Sequence, residues 1–260
     1  MIMLSLVLAT VALRAHPEIE DALNRLNALI AAQPAEADLY LERGELYARH
    51  EDWVSAEANY LRAAELSPQH PRLSVARGNL ELATGRPAQA RELLDTALRQ
   101  NPRDAEALIL RARAYVALKD TRAAVADYDA ALELLTHPSA EFFLERATLL
   151  PPAEAVRSLD EGIARIGPAI TLQLRAIALE ESLGRIDAAA ARIDRVAEQS
   201  ERKESWLKRR GDLLARAGRR SEARAAYAEA LAKVADLPAW LRESPEVMRL
   251  TAELSRLSNS

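Results

Sequence analysis

The sequence predicts an all-α solenoid of about six helix-turn-helix repeats with capping helices at both ends, and three observations carry that prediction. An Arg-Gly or Arg-Ala pair recurs at Arg43-Gly44, Arg77-Gly78, Arg111-Ala112, Arg146-Ala147, Arg175-Ala176 and Arg210-Gly211. The small members stand 34, 34, 35, 29 and 35 residues apart, a period that signals stacked helical hairpins. Each pair precedes, by about a dozen residues in most units, an alanine that opens a second helix, and four units close near a proline. A repeat array grows by adding neighbours, so the 260 residues are read as one elongated domain.

Taken in order, the first element lies outside the repeats. Met1 to Leu13 carries no charge and is too short to span a bilayer as a helix, but it fits the apolar region of a secretory leader. A basic n-region is missing, and Leu13 stands at −3 of a cleavage after Ala15. The competing reading is a first helix packed on the stack, yet such a helix keeps one polar face and this run has none. Residues 1–15 are therefore read as a signal peptide and the mature chain as periplasmic or secreted, with a cytoplasmic chain as the alternative. Residues 16–36 follow as a half-repeat, because Ala22, Leu26, Leu29 and Pro34 fall where a second helix and its proline lie one period upstream.

The repeats are placed at about 37–70, 71–104, 105–138, 139–168, 169–203 and 204–237. On helix A, a small residue lets helix B approach closely, because a larger side chain there holds the axes apart. A larger residue follows three positions on: Tyr47, Tyr115, Leu150, Leu179 and Leu214, with Glu81 the exception. Helix B carries small, large, small at i, i+4, i+7, a single helical stripe. That stripe reads Ala56-Tyr60-Ala63, Ala90-Leu94-Ala97, Ala124-Tyr128-Ala131, Ala155-Leu159-Gly162, Ala189-Ile193-Val196 and Ala223-Tyr227-Ala230. Pro68, Pro102, Pro138 and Pro168 stop helix B, since proline lacks the N–H that continues a helix. Repeat four is compressed, with 8 residues from Ala147 to Ala155 and Pro151-Pro152 in the gap, so its helix A is expected to be short. Repeat five has 13 residues in that interval, accommodated by Leu183-Gly184-Arg185. In 238–260, Ser244-Pro245 opens a capping helix running to about Leu257 over the apolar face of repeat six.

Composition narrows the function. The net charge is −4 with acids and bases interspersed, so no basic stripe can follow a phosphate backbone and nucleic acid is excluded as a ligand class. The chain has no cysteine, hence neither a disulfide framework nor a thiolate metal site. His16, His50, His70 and His137 are scattered without i, i+4 pairing. No Gly-rich phosphate loop or nucleophile elbow occurs, so no cofactor and no catalysis are expected. A metal site at His16, exposed as a new amino terminus by processing, is a remote alternative. The six arginines lie about 100° round helix A from the small residue, away from a concave face. Their stems cover apolar surface while their heads pair with acids, tying repeats together.

The repeat resembles the tetratricopeptide repeat family, whose loose pattern is met best by Tyr40, Gly44, Tyr47, Ala56, Tyr60, Ala63 and Pro68. The resemblance covers about residues 37–237 and implies a right-handed superhelix whose concave groove is lined by helices A. In such proteins the groove positions lie three residues before the small position, one after it, and four to five after. Leu41, Val75, Ile109 and Leu144 fall at the first, and Glu45, Asn79, Arg113 and Ile177 at the second. An aliphatic strip with polar edges suits an extended or helical peptide; burial of those aliphatics against the next helix A is the competing reading. The carboxylate clamp of some relatives is not expected, because Leu41 and Glu45 occupy its first positions. The chain is thus read as a non-enzymatic scaffold for a protein or peptide partner, with no membrane span in the mature chain. A structural spacer or assembly subunit using its convex face or ends is the alternative.

Overall fold

Apolar stripes spaced for helices fold as an uninterrupted succession of helices. The computed structural model describes residues 17–259, so the expected signal peptide and His16 lie outside the described residues. Among these there are fifteen helices and no strand. Helix α1 spans Pro17–Ala32, and six hairpins follow. They are α2 (Ala37–Arg49) with α3 (Trp53–Leu66), α4 (Leu73–Ala83) with α5 (Pro87–Gln100), and α6 (Ala105–Ala117) with α7 (Thr121–Leu134). The remaining three are α8 (Ala140–Thr148) with α9 (Pro152–Ile166), α10 (Ile170–Ser182) with α11 (Ile186–Glu198), and α12 (Lys203–Arg216) with α13 (Arg220–Ala235). A four-residue α14 (Ala239–Arg242), which sequence periodicity does not reveal, precedes α15 (Pro245–Asn259).

Two compact units are distinguished, one ending at Leu134 and the other beginning at Leu135. Within each unit a repeat touches mainly its neighbours.

Within both units the small-against-large logic of the hairpin is realised. A Cβ added at Gly44 would stand 2.5 Å from Tyr60 Cε1, and one at Gly78 would stand 2.8 Å from Leu94 Cγ. In the second unit Gly211 abuts the ring of Tyr227 in the same way. Tyr60, Leu94, Tyr128, Leu159, Ile193 and Tyr227 are all buried, with buried small residues above and below them on helix B. In repeat four α8 has only 9 residues, and Pro151 and Pro152 start α9 almost at once.

Five of the six A–B turns share one construction. The last turn of helix A closes with an N–H two residues past the cap donating to the carbonyl five residues back. These bonds run from Asp52 to Tyr47 (3.0 Å), Arg86 to Glu81 (2.8 Å), Asp120 to Tyr115 (2.9 Å), Arg185 to Glu180 (2.9 Å) and Arg219 to Leu214 (2.9 Å). Such a Schellman closure needs a left-handed residue before the donor. Glycine supplies it at Gly85, Gly184 and Gly218, whereas Glu51 (φ 60°) and Lys119 (φ 64°) adopt it against side-chain sterics. Asp52 and Asp120 then cap the following helix, accepting from the N–H groups of Ser55 and Ala123 at 3.1 Å.

The arginine beside each small residue ties helices together in four repeats. Arg43 donates through Nε to Asn59 on its own helix B (2.8 Å) and through Nη1 to Asn27 on α1 (2.6 Å). Arg111 holds Asp127 of α7 with two bonds (2.7 and 2.8 Å) and reaches Asp95 of α5 at 2.8 Å. Arg146 donates to Ser158 and Glu161 of α9, and Arg210 joins Asp194 of α11 to Glu229 of α13. Two repeats depart. The position before the large residue of helix B, which supplies Asn59, Asp127 and Ser158, is Leu93 in repeat two and Arg192 in repeat five. Leu93 offers Arg77 no acceptor. Arg192 offers Arg175 no acceptor, Arg175 is exposed, and Arg192 itself binds Glu180 (2.8 Å), Gln173 (3.2 Å) and Asp160 (2.7 Å).

Candidate functional site

The first unit contains a concavity of about 420 Å³ between successive helices A. From α2 come Glu45, Ala48 and Arg49; from α3, Trp53 and Tyr60; from α4 and its cap, Arg72, Val75, Ala76, Asn79, Leu80 and Ala83. Asp104 and Glu106, at the start of α6, close one side. The proline-bearing link after α3 delivers Arg72 opposite Glu45, and one guanidinium nitrogen donates to both carboxylate oxygens at 2.6 and 2.7 Å. That pair is open to water, so it orients side chains more than it stabilises the stack.

Three acids and two arginines therefore share this surface with an aromatic and aliphatic floor. Glu106 as a residue is exposed, but partial desolvation of its carboxyl, together with the charges of Asp104 and Glu45, raises that group above its ordinary value, and Arg72 acts in the opposite direction. Burial, and then Glu45, hold the Tyr60 phenol well above its ordinary value. Asp104 accepts the Ala107 N–H at 3.0 Å as the helix cap. The surface offers fixed charge and hydrogen-bonding edges, and no nucleophile beside a base.

Of the eight positions expected in the groove, Glu45, Val75 and Asn79 are brought together here. Ala48, Arg49 and Ala83, four or five residues after a small position, join them at the spacing the family implies. The aliphatic strip needs correction. Leu41 is 0% exposed, Val75 and Ile109 are 6%, and Ile177 is 1%. Leu41 clusters with Leu73, Ala76 and Leu80 of the next hairpin, so this position on helix A seals one repeat onto the following one. Val75 contributes only its edge to the concavity. Ile109 and the partly buried Arg113 lie outside its lining, and the partly buried Leu144 belongs with Ile177 to the second unit. Sequence reasoning missed Trp53, Arg72, Asp104 and Glu106. They stand at the start of helix B, in the inter-repeat link and at the cap and first turn of helix A, and position-counting from the small residue alone does not reach them.

Stacked helix-turn-helix pairs closed by a small-against-large contact, with successive helices A walling a concavity, define a helical-repeat solenoid. A tetratricopeptide repeat profile matches residues 6–71 and 75–138, and a tetratricopeptide repeat-like domain profile matches 157–242. The chain belongs to the tetratricopeptide repeat family. Among solved structures it is similar to a tetratricopeptide repeat protein from Parabacteroides merdae ATCC 43184, at 21% identity over 94% of this chain and 93% of that one, with TM-score 0.54. It is also similar to PilW, a widely conserved type IV pilus biogenesis factor, at 17% identity over 74% and 91% of the two chains, TM-score 0.61. For the MamA protein the values are 19%, 64% and 93%, with TM-score 0.55. At these identities the likeness is one of fold. No curated protein matches the chain. Among the described residues no helix is long and apolar enough to cross a membrane.

Proposed function

We propose that the chain is a non-enzymatic scaffold that holds a protein or peptide partner in the concavity of its first unit. The observation that carries this reading is the joint presence of an aromatic and aliphatic floor with the exposed or half-exposed Glu45, Arg72, Asn79 and Asp104 around it. Such a mixture gives an extended segment both apolar contact and polar register. PilW, described as a pilus biogenesis factor, shares the fold and supports an assembly role only in general terms.

The test is capture of interacting proteins from the native organism by the tagged chain, followed by the same capture with Arg72→Glu and Asn79→Arg. Both residues are exposed, so the stack keeps its melting profile while capture is lost. Capture unaffected by either change moves the binding surface elsewhere. Val75→Glu and Ile109→Glu are poorer probes, because they place charge in the packed interior.

Export is the second part of the proposal, supported by the charge-free run from Met1 to Leu13. The family match reaches back to residue 6 and so overlaps that run. Mass spectrometry of the amino terminus from native cells decides: a chain starting near residue 16 supports export, and one retaining residues 6–15 assigns the run to the first repeat.

A further inference from the structure

An apolar cleft of the second unit lies between α13 and α15. It encloses about 580 Å³ and is lined mainly by Leu231, Val234, Met248, Thr251 and Ala252. Met248 is 59% exposed. Trp240, on the short α14 whose Arg242 borders the cleft, is 75% exposed. A patch of this kind on a soluble chain marks a contact surface.

The pattern along α15 says what covers it. Val247 and Leu254 are buried and Leu250 and Leu257 partly so, packing this face of the helix toward α13. Two further stripes with i, i+3, i+7, i+10 spacing run along the remaining sides. One is Pro245, Met248, Ala252 and Ser255; the other is Glu246, Arg249, Glu253 and Arg256. Both are symmetric about residues 250–251. Two copies of a helix packed antiparallel about a two-fold axis place like flank against like flank, so these stripes meet themselves in reverse. Met248 then packs near the partner's Ala252, Glu246 faces the partner's Arg256, and Arg249 faces the partner's Glu253. Parallel packing sets each charge against its own kind. Among the described residues of one chain Glu246 and Arg256 join no ion pair, and the Arg249 guanidinium donates to the Pro245 carbonyl at 3.2 Å. Glu253 is held by Lys208 at 3.2 Å and keeps 42% of its side-chain surface open.

We propose that α15 is the contact through which two copies of this chain associate, antiparallel and with two-fold symmetry. The assignment is independent of the concavity in the first unit. Fifteen residues of helix span about 22 Å, which places the contact at the small end of stable interfaces, with dissociation in the micromolar range.

Sedimentation equilibrium of the full chain across micromolar concentrations tests it. The expected result is a reversible monomer–dimer equilibrium. Glu246→Arg and Arg256→Glu each set like charges opposite and weaken it by about tenfold or more. The double swap restores the dimer, which damage to the fold cannot do, and circular dichroism melts verify each variant. The cysteine-free chain also allows a geometric reading, since Met248→Cys combined with Ala252→Cys sets each new thiol opposite the partner's other one and forms a disulfide-linked dimer when an oxidant is added. A chain that sediments as monomer throughout overturns the proposal, including the case in which a different protein covers the cleft. So does a dimer indifferent to the charge reversals, or a double swap as weak as the single changes.

Discussion

Gly44→Ala sets helix propensity directly against hairpin packing. Alanine gains about 1 kcal/mol over glycine inside a helix, so on local grounds the change stabilises α2. Its methyl, however, would stand 2.5 and 2.7 Å from two ring carbons of Tyr60 and 3.2 Å from Asn59 Cβ. Carbon atoms are at ease no closer than about 3.5 Å, so the ring has to retreat by about 1 Å. Tyr60 is 2% exposed, between Ala56 and Ala63 at 0%, and has little room to do so. Overpacking of this kind costs about 1–3 kcal/mol, leaving a net loss of up to about 2 kcal/mol for the first repeat after the propensity gain. Urea denaturation followed by far-ultraviolet circular dichroism reads the loss, and hydrogen exchange of the α2 and α3 amides localises it. Tyr60→Leu supplies the control, because Ala147 belongs to the repeat that carries Leu159, where an alanine is accommodated with a leucine. In that background Gly44→Ala should be close to neutral, with a coupling of about 1 kcal/mol or more in the double-mutant cycle. An increase of about 1 kcal/mol in both backgrounds would refute the argument, since propensity would then outweigh the approach of helix B.

Glu51→Gly and Lys119→Gly should each stabilise the chain by about 1 kcal/mol in the same denaturation assay, by relieving a left-handed residue that Gly85, Gly184 and Gly218 fill without strain; Gly85→Ala should do the reverse. Arg111→Met should cost about 2–3 kcal/mol, because it leaves the 9%-exposed Asp127 side chain without its guanidinium, whereas Arg175→Met, at an exposed site, should stay within about 0.5 kcal/mol. Glu106→Gln should stabilise the chain slightly at neutral pH: partial desolvation, Asp104 and Glu45 raise the carboxyl of this solvent-exposed residue, so ionising it costs more in the native than in the unfolded chain. The benefit of the glutamine is present above the carboxyl's native titration and vanishes below the ordinary carboxylate range, as thermal melts across pH would show.

The period, the hairpin pairing and the identity of the small and large partners were legible because they depend on residue size at fixed helical spacing. The truncation of helix A in repeat four was equally legible, since Pro151-Pro152 leaves no alternative. The turn was half-hidden: glycine announces it in three repeats, but Glu51 and Lys119 adopt the same conformation under the demand of the helix packing on either side. Arginine partners were hidden for a different reason. Arg43 and Arg111 each find an acceptor 16 residues away on either side, a register set by how helices stack and absent from any local pattern. The buried polar residues Asn59, Asp127 and Ser158, each just before the large residue of helix B, were the available clue. Short α14 has no periodicity to detect.

Comparison among the repeats separates what the stack needs from what it leaves free. Three residues before the small position stand Leu41, Val75, Ile109 and Leu144, and the first three are buried; their shared aliphatic character is a packing requirement. One residue after it stand Glu45, Asn79, Arg113 and Thr148, which are partly or fully exposed and differ in charge and shape. A position whose chemistry changes from repeat to repeat while the backbone does not is one that packing leaves unconstrained. In the first two repeats those free positions, Glu45 and Asn79, open onto the same concavity as Arg72 and Trp53. In the proposed function, discrimination among partners rests on these polar side chains at the rim, with the buried aliphatics setting only the depth and spacing of the floor beneath them.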